Sequence, residues 1–325
     1  MHRLRRLSFG LPGRGDLREH RRDAGPSEGV DRSQRDLPER LARYDRQSRR
    51  DRQEARRRSR GHHGGAGGGA AGRARAILKI ATWNVNGIRA RHAQVQEWIA
   101  RDRPDVVCLQ EIKATPDQIP ELLLDLDGYW CYWHGGKGYS GIGLHVNREL
   151  AADRPVCFHP EFNFESRIAA VDVGDVTVAS IYVPNGGKDF PAKMRFLEAL
   201  DAYAASFAAT GRQLVLCGDL NVARSDQDVH PKERKPKAIG QLPEERALIE
   251  RILSRGFVDL GRALDPANDG LFSWWAPWRN MRQRNIGWRL DYVIASQPLA
   301  SRAVSCPVQA EVGTSDHAPV MATFD

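Results

Sequence analysis

A short apolar run that leads directly into an acid and an amide constrains this chain more than any other stretch. The residues Leu214–Cys217 form an uninterrupted apolar run, which is typical of a strand covered on both faces. Gly218 follows and allows another group to approach the backbone closely. Asp219 and Asn221 lie two positions apart and point the same way if the extended geometry continues. The stretch therefore predicts a buried strand with polar groups at its end, although Asp and Asn also favour ordinary turns.

The formal charge of +8 is unevenly distributed over the 325 residues. Residues 1–76 contain 21 Arg, no Lys and 10 acidic residues, whereas residues 77–325 carry a net charge of −3. The first segment has few large apolar residues, so it cannot bury enough surface to offset its ordering entropy. We predict a disordered Arg- and Gly-rich extension over 1–76 and one folded domain over 77–325. The arginines also suit an arm that binds nucleic acid, but the mixed acids weaken that interpretation.

The five cysteines are odd in number and form no CxxC pair; they are Cys108, Cys131, Cys157, Cys217 and Cys306. This pattern is typical of a reducing compartment, so we expect a cytoplasmic location. No apolar run reaches the length of a membrane span, and no apolar segment of a secretory signal is present near the N-terminus. We therefore expect no membrane partner.

Strand-like and helix-like segments alternate along the folded domain. The predicted strands include Ile77–Asn86, Val106–Leu109, Ile142–Val146, Arg289–Ile294 and Val320–Phe324, and the predicted helices are Arg91–Arg101, Pro120–Leu126, Ala192–Ala209 and Glu244–Ser254. The segments Arg167–Val173 and Val176–Val183 alternate in polarity around a Gly-Asp turn, which predicts an antiparallel hairpin. A purely parallel sheet is therefore disfavoured. We predict an α/β fold in which two mixed β-sheets pack face to face with helices outside.

Ten polar residues cluster at the ends of these strands or in the adjoining loops: Asn84, Asn86, Glu111, Tyr182, Asn185, Asp219, Asn221, Asp291, Asp316 and His317. The chain has no serine nucleophile elbow, Walker loop or zinc-type spacing of Cys and His. Hard oxygen ligands with few imidazoles favour Mg²⁺ or Mn²⁺ over Zn²⁺. Taken singly, each residue could cap a turn or lie satisfied in the core, so the site hypothesis depends on their joint occurrence.

Six segments of the folded domain resemble the motif set of the exonuclease III family of abasic-site endonucleases. They are Trp83–Arg91, Leu109–Lys113, Tyr182–Gly186, Gly218–Ala223, Gly287–Tyr292 and Ser315–Pro319. The resemblance runs in unbroken order from about residue 77 to residue 325. The family is part of the wider endonuclease/exonuclease/phosphatase superfamily. The resemblance implies a four-layer α/β sandwich of the DNase I type, with the site at one rim of the two sheets.

The resemblance implies a role for each polar residue. Glu111 would be the main metal ligand, and Asn84 and Asn86 would orient the waters around the cation. Asp316 would be an outer metal ligand or an orienting group. The remaining roles concern water and phosphate. Asp219 would position or deprotonate the attacking water, and Asn221 would hold the phosphate. Asp291 and His317 would pair, with His317 touching a phosphate oxygen, and Tyr182 and Asn185 would contact the scissile phosphate.

The resemblance also implies a DNA-binding surface. Trp274, Trp288 and Leu290 would line an apolar pocket that admits a sugar without its base. Trp278 and Lys188 would press into the duplex beside the lesion. The basic residues expected to meet backbone phosphates are Arg279, Arg282, Arg284, Arg289 and the stretch Lys232–Lys237. By contrast, Trp275 is expected in the core.

The function implied is that of a DNA repair nuclease, monomeric and located in the bacterial cytoplasm or nucleoid. It would use Mg²⁺ or Mn²⁺ to hydrolyse the phosphodiester bond 5′ to abasic sites in duplex DNA, with 3′→5′ exonuclease and 3′-phosphatase or phosphodiesterase action on 3′ ends. Two alternatives stay open. A superfamily phosphatase acting on phosphoinositide-type substrates is disfavoured by the segments Asn86–Arg89 and Gly287–Asp291. A nucleic-acid-binding protein without catalysis is disfavoured by the complete set of acids.

Overall fold

The computed structural model describes residues 77–136 and 138–325, so the prediction of disorder over residues 1–76 lies outside the described residues. The strands are β1 (Leu78–Asn84), β2 (Val106–Gln110), β3 (Tyr129–His134), β4 (Ile142–Asn147), β5 (Cys157–Phe158), β6 (Ile168–Val173), β7 (Val176–Tyr182), β8 (Gln213–Asp219), β9 (Phe257–Asp259), β10 (Asp291–Ser296), β11 (Ala303–Ser305) and β12 (Val320–Phe324). The helices are α1 (Ile88–Asp102), α2 (Glu121–Leu124), α3 (Phe190–Thr210), α4 (Pro243–Ser254), α5 (Leu260–Leu264) and α6 (Gln297–Ala300).

The strands form two six-stranded sheets with the same internal arrangement. The first sheet has the order β11-β12-β1-β2-β4-β3, and the second has the order β5-β6-β7-β8-β10-β9. At the centre of each sheet one pair is parallel, β1 with β2 and β7 with β8, while the flanking pairs are antiparallel. Because parallel strands end at the same edge, each central pair brings two carboxyl-terminal strand ends together.

Three apolar layers hold the sandwich together. Trp98 and the rest of the apolar face of α1 pack on the outer side of the first sheet. Side chains such as Val215 and Val293 fill the space between the two sheets. Phe196 of α3 and Ile249 of α4 pack on the outer side of the second sheet. The resulting order of helix, sheet, sheet and helix confirms the predicted four-layer α/β sandwich.

The strand β8 is buried on both faces, as its apolar run predicts. Leu214 and Leu216 point to the helix layer, whereas Val215 and Cys217 point to the space between the sheets. Gly218 follows in a backbone conformation with φ of 154°, where a Cβ atom would lie 1.9 Å from the carbonyl oxygen of Ile181. Only glycine fits this approach of neighbouring backbones, and the strand can therefore continue to Asp219.

The sequence analysis did not predict β3, β5, β9 or β11. The segment of β3 is aromatic without a clear alternation, β5 has only two residues, and β9 and β11 have three each. Their pairing depends on neighbouring strands that are distant in sequence. Within the described part of the chain, no helix combines the length and apolarity that crossing a membrane requires.

Candidate active site

The ends of the central strands place polar side chains at one rim of the sandwich. Asn84 ends β1, and Glu111 directly follows β2, its parallel neighbour. In the second sheet, Tyr182 at the end of β7 lies opposite Asp219 at the end of β8. Asp219 also pairs with Asp291, the first residue of β10. The sequence analysis predicted these five residues as strand-end groups, and the sheet topology brings them together.

The amide of Asn84 connects the two sheets. Its Nδ2 donates one hydrogen bond of 2.9 Å to Oε1 of Glu111 and another of 2.9 Å to Oδ2 of Asp219. Its Oδ1 accepts a hydrogen bond of 3.0 Å from the backbone N–H of Asn86. The buried amide therefore holds two carboxylates of different sheets at a set separation.

His317 forms a buried pair with Asp291. Nδ1 of His317 lies 2.8 Å from Oδ2 of Asp291, and Nε2 lies 3.8 Å from Oδ2 of Asp219. Burial alone would lower the pKa of His317, but the carboxylates of Asp291 and Asp219 outweigh that effect and raise the pKa to about 10. The imidazole is therefore protonated at neutral pH, and its Nε2–H is directed toward the polar rim.

Asp219 is a buried carboxylate held by several donors. Besides Asn84, the backbone N–H and the Nδ2 of Asn221 donate to it at 2.9 and 3.1 Å. Burial raises the pKa of Asp219 and two neighbouring carboxylates add to this, against the opposing effect of His317, so that the pKa is about 7. A carboxyl group of this pKa can accept a proton near neutral pH, which fits a general base.

Asn221 links this carboxylate to the protein surface. Its Nδ2 also donates to the carbonyl of Val183 at 2.9 Å, and its Oδ1 accepts a hydrogen bond of 3.3 Å from Nδ2 of Asn185. Asn185 itself is exposed. The two amides therefore form a line from the buried acid toward solvent, where a phosphate could reach them.

Asp316 lies on the other side of the rim. Its Oδ1 accepts from Nδ2 of Asn86 at 2.8 Å, and its Oδ2 accepts from Nε1 of Trp274 at 3.0 Å. Lys113 donates to Oδ1 of Asn86 at 2.5 Å and forms an ion pair of 2.8 Å with Glu111. Asn86 thus contacts Asp316 and Lys113 rather than Glu111.

Four residues of the rim that are not glycine have positive φ angles: Asn86 at 45°, Glu111 at 50°, Lys113 at 51° and Asn221 at 51°. Residues with a Cβ atom avoid this region, at a cost of about 1–3 kcal/mol each. Such conformations persist where the surroundings determine them, and they concentrate at functional sites. Here the hydrogen bonds of the amide and carboxylate side chains hold the backbone in these conformations.

An apolar wall begins directly beside the polar rim. The rings of Trp274 and Trp288 meet edge to face at 5.8 Å between centroids, and both pack against the buried apolar cluster that contains Leu290. The ring of Trp274 lies 6.4 Å from that of His317. The three residues assigned to a pocket from the sequence therefore lie together, and Trp275 is in the core as expected.

Two further residues assigned to DNA contact lie at the surface. Trp278 exposes 60% of its area, which is unusual for tryptophan, and Lys188 is exposed as well. The basic residues Lys232, Lys235 and Lys237 are also exposed. Their positions are compatible with contact to a large polyanion.

The prediction that Arg289 binds DNA is wrong, because this side chain is 2% exposed. Its guanidinium makes a bidentate ion pair with Asp259 at 2.8 and 2.7 Å and contacts Asp228 at 2.8 Å. It also lies over the ring of Tyr292, with 4.4 Å to the ring centroid. Arg289 therefore anchors the segment that carries Trp288 and Leu290. Arg282, expected at a phosphate, instead donates to the backbone carbonyls of residues 310, 312 and 315.

Sequence reasoning assigned no role to Arg167 or Lys113. The guanidinium of Arg167 lies 4.7 Å from the ring centroid of Tyr182, and Glu165 pairs with it at 2.9 Å. Burial raises the pKa of Tyr182, and the carboxylates of Glu111 and Asp219 add to that, so its hydroxyl stays protonated. Lys113 follows an acid by two residues, and that spacing could have indicated its role. The sequence around Arg167 contains no comparable signal.

The donor set fits a hard divalent cation. Donor atoms of Glu111, Asp219 and His317 lie within 4.8 Å of one another. The hard donors of this set are the carboxylate oxygens of Glu111 and Asp219. Burial would raise the pKa of Glu111, but hydrogen bonds from Asn84 and Lys113 lower it, which keeps the carboxylate ionised. Carboxylate and amide oxygens suit Mg²⁺ or Mn²⁺.

The fold and the rim together define a hydrolase of the divalent-metal-dependent nuclease class. Residues 81–317 match the Endonuclease/Exonuclease/phosphatase family, and the chain belongs to this family. It is 34% identical over 251 residues to the exodeoxyribonuclease of Bacillus subtilis, a match that covers 75% of this chain and 98% of the relative. It is 31% identical to exodeoxyribonuclease III of Haemophilus influenzae, a match that covers 76% of this chain and 100% of that relative. Recombination repair protein 1 of Drosophila melanogaster is longer; at 32% identity, the match spans 76% of this chain and 37% of that protein.

Solved structures agree with the family. An AP endonuclease from Archaeoglobus fulgidus superposes with a TM-score of 0.68 at 31% identity, covering 76% of this chain and 99% of the other. A 3′-5′ exonuclease (NExo) from Neisseria meningitidis superposes with a TM-score of 0.70 at 30% identity, and the match covers 76% of this chain and 100% of the other. The predicted family, the predicted fold and the interpretation as a nuclease are therefore confirmed.

Proposed function

We propose that this nuclease acts in DNA repair and hydrolyses the phosphodiester bond 5′ to an abasic site in duplex DNA, with Mg²⁺ or Mn²⁺, to leave a 3′-hydroxyl. One observation carries the proposal: the aromatic wall lies next to the acid site, with 6.4 Å between the ring centroids of Trp274 and His317. A wall made of Trp274, Trp288 and Leu290 suits a deoxyribose without its base. A normal nucleotide would have to bring its base between the same rings, so the wall selects against it.

In this proposal, Asp219 positions the attacking water and takes its proton. The carboxylate suits that role because its pKa is raised to about 7 and because Asn84 and Asn221 fix its orientation. The exposed amide of Asn185 can donate to a phosphoryl oxygen, and Asn221 holds that amide through its Oδ1 while its own Nδ2 fixes Asp219. The reaction then forms the new P–O bond from the water oxygen and breaks the P–O bond to the 3′-oxygen. The 3′-oxygen takes a proton from solvent and leaves as the hydroxyl, and Asp219 returns its proton to solvent.

The rim also supplies positive charge where the phosphate gains negative charge. The His317 imidazolium donates from Nε2 to a phosphoryl oxygen, while Asp291 holds its ring through Nδ1. Tyr182 offers a neutral hydroxyl on the same side. Glu111 would hold the divalent ion, which would supply charge relief to the reacting phosphate. Asn86 and Asp316 orient the groups on that side of the rim.

The same rim is proposed to act on 3′ ends. Solved structures of relatives from Neisseria are described as a 3′-5′ exonuclease and as a 3′ phosphatase bound to a product DNA hairpin. A 3′-terminal phosphate, like the phosphate beside an abasic site, can enter the rim without a stacked base pair on its other side. We therefore propose exonuclease and 3′-phosphatase activities alongside incision.

The test uses a duplex with a single tetrahydrofuran abasic analogue and a 5′ label on the damaged strand. We expect one product that ends at the lesion with a 3′-hydroxyl, formed with Mg²⁺ or Mn²⁺ and lost in excess EDTA. The proposal fails if the duplex stays intact with either metal, or if it is cut equally well in EDTA.

Two parallel assays address the alternatives. Phosphate release from a soluble inositol polyphosphate, without incision of the DNA, would favour a phosphatase. Tight binding to the duplex without cleavage in any metal would favour a non-catalytic nucleic-acid-binding protein. An undamaged duplex of the same sequence serves as the control for lesion specificity.

A further inference from the structure

The helix α3 carries a lysine whose side chain is completely buried, Lys193. Its ammonium donates to the carbonyl of Asn221 at 2.7 Å and to the carbonyl of Asn185 at 3.3 Å. It also forms an ion pair with Oε1 of Glu245 on α4. The two carbonyls take two of the three ammonium donors, and the charge is balanced by the carboxylate of Glu245. Lys193 thus contacts the backbone of both amide residues that face the proposed phosphate position.

The other oxygen of Glu245 is also engaged. Oε2 accepts hydrogen bonds from the backbone N–H groups of Gly240, at 2.7 Å, and Leu242, at 3.1 Å. Gly240 has φ of +91°, and a Cβ atom there would lie 3.0 Å from the ring of Trp288. Its carbonyl accepts from the N–H of Ala223 at 2.7 Å. Glu245 therefore holds the segment that lies against the aromatic wall.

The stem of Lys193 also supports the loop that carries Asn185. Gly186 has φ of +88°, and a Cβ atom there would lie 2.8 Å from Cδ of Lys193. The loop thus lies directly on the aliphatic part of the lysine, and its glycine leaves the room that this contact requires. One buried side chain contacts this loop both through its stem and through its charge.

We propose that the Lys193–Glu245 pair is a positioning device for the active site, which sets the spacing between the phosphate-facing amides and the aromatic wall. The inference rests on the proposed function. A buried ion pair contributes little net stability compared with apolar residues of the same volume, so stability alone is a weak reason for it. A displacement of about 1 Å at a catalytic group can cost about 10²-fold in rate, which gives the pair a role in catalysis through the residues it holds.

The chain contains a matched control on the same two helices. Asp201 of α3 is buried and pairs with Arg251 of α4 and with Arg255, the residue that follows this helix, each at 2.7 Å. This second cluster bridges α3 and the end of α4, and within the described part of the chain the side-chain hydrogen bonds of Asp201 go only to Arg251 and Arg255. Removing it weakens the helix pair without touching the proposed device.

The experiment compares Lys193→Met/Glu245→Gln, which leaves no buried unpaired charge, with Asp201→Asn. We expect both variants to unfold at a lower temperature than the unmodified protein. Only the double variant should lose incision rate under single-turnover conditions, by about 10²-fold. Its affinity for the abasic duplex in EDTA should change less than about 3-fold, because the surface contacts remain. Hydrogen exchange at residues 183–188 and 219–224 should quicken in the double variant alone.

Unchanged incision and exchange in a folded double variant would overturn the inference, and so would an equal loss of rate in Asp201→Asn. If the double variant does not fold, Glu245→Gln alone takes its place, since it keeps the shape and removes the counter-charge; a rate within 2-fold of the unmodified protein then overturns the inference. The proposed function and the positioning role can fail separately. If the unmodified protein does not incise the abasic duplex, the proposed function is rejected. Hydrogen exchange at residues 183–188 and 219–224 of the double variant still tests the positioning role in that case.

Discussion

Nε1 of Trp274 donates a hydrogen bond of 3.0 Å to Oδ2 of Asp316, and this contact joins the aromatic wall to the polar rim. The other oxygen of Asp316 accepts from Asn86, which in turn contacts Lys113 beside Glu111. A phenylalanine could supply the same wall but could not donate. The indole therefore orients an acid of the rim in addition to forming apolar surface.

We expect Trp274→Phe to raise the Mg²⁺ concentration that gives half-maximal incision, by about 3- to 10-fold. The aromatic surface persists, but Asp316 loses a charge-assisted donor, a bond worth about 1.5–3 kcal/mol. A Mg²⁺ titration of the incision rate measures the shift. Trp278→Phe is the control, since Trp278 is exposed and contacts no carboxylate in the described residues. An identical titration curve for Trp274→Phe would show that the hydrogen bond is incidental.

Asp219→Asn should separate activity from stability. We expect the rate constant for incision to fall about 10²-fold or more, the usual scale for losing a general base. Binding to the abasic duplex in EDTA should persist. Because burial raises the pKa of Asp219, its ionised form is disfavoured in the folded state, and the neutral amide should raise the unfolding temperature at pH 8. A lower unfolding temperature together with retained activity would contradict this role.

Trp288→Ala should reduce incision at abasic sites more than it reduces removal of 3′-phosphates. The ring of Trp288 forms one side of the wall that selects against a base, and a 3′ end depends less on that selection. Parallel assays on the two substrates, expressed as the ratio of kcat/KM values, measure the difference. Equal losses on both substrates would indicate that the ring serves packing alone.

Arg289→Met should destabilise the fold rather than weaken DNA binding. It takes their shared partner from the buried Asp228 and Asp259, which keep only Arg262 and Arg224, and breaking a buried ion pair typically costs about 3–5 kcal/mol. Urea unfolding measures this loss. Arg284→Ala, at an exposed position, should keep its stability and change only the salt dependence of DNA binding. If Arg289→Met instead weakened DNA binding at unchanged stability, and Arg284→Ala lowered stability, Arg289 would be a phosphate contact after all.

The buried His145 should make the protein sensitive to acid. Burial lowers the pKa of His145 to about 3, below its usual value of about 6.5 in an unfolded chain. The neutral ring therefore contributes its full stability above pH 6.5, and this is lost progressively as the pH falls toward 3. The variant His145→Leu should not lose stability in this way. The difference in free energy of unfolding between this variant and the unmodified protein should therefore shift in favour of the variant by about 2–3 kcal/mol from pH 7.5 to pH 4.5.

Urea unfolding at both pH values measures the effect of His145→Leu. The control for replacing a histidine by leucine is His92→Leu, at a partly exposed position of α1, measured at the same two pH values. If the stability difference between the His145 variant and the unmodified protein were the same at pH 4.5 and 7.5, the buried ring would not be the acid-sensitive group.

The sequence alone determined the central strands of both sheets and the polar groups that end them. The apolar run of β8 predicts burial on both faces, and the acids and amides that follow β1, β2 and β8 predict a hydrolytic rim. These features are local: side-chain alternation and the change from apolar to polar residues depend on neighbours in the chain. The resemblance of six short motifs added the family and the layer order, both of which the structure and the relatives confirm.

The tertiary structure decided which partner each side chain has. The sequence placed Arg289 at DNA, but Asp228 and Asp259, 61 and 30 residues away, enclose it instead. The bridge from Asn84 to Asp219 joins two sheets, and the contact of Lys193 with Asn221 joins a helix to a loop. Such choices depend on distances between distant segments. They follow from how the layers pack, because a buried charge or amide must find its partner wherever the packing places one.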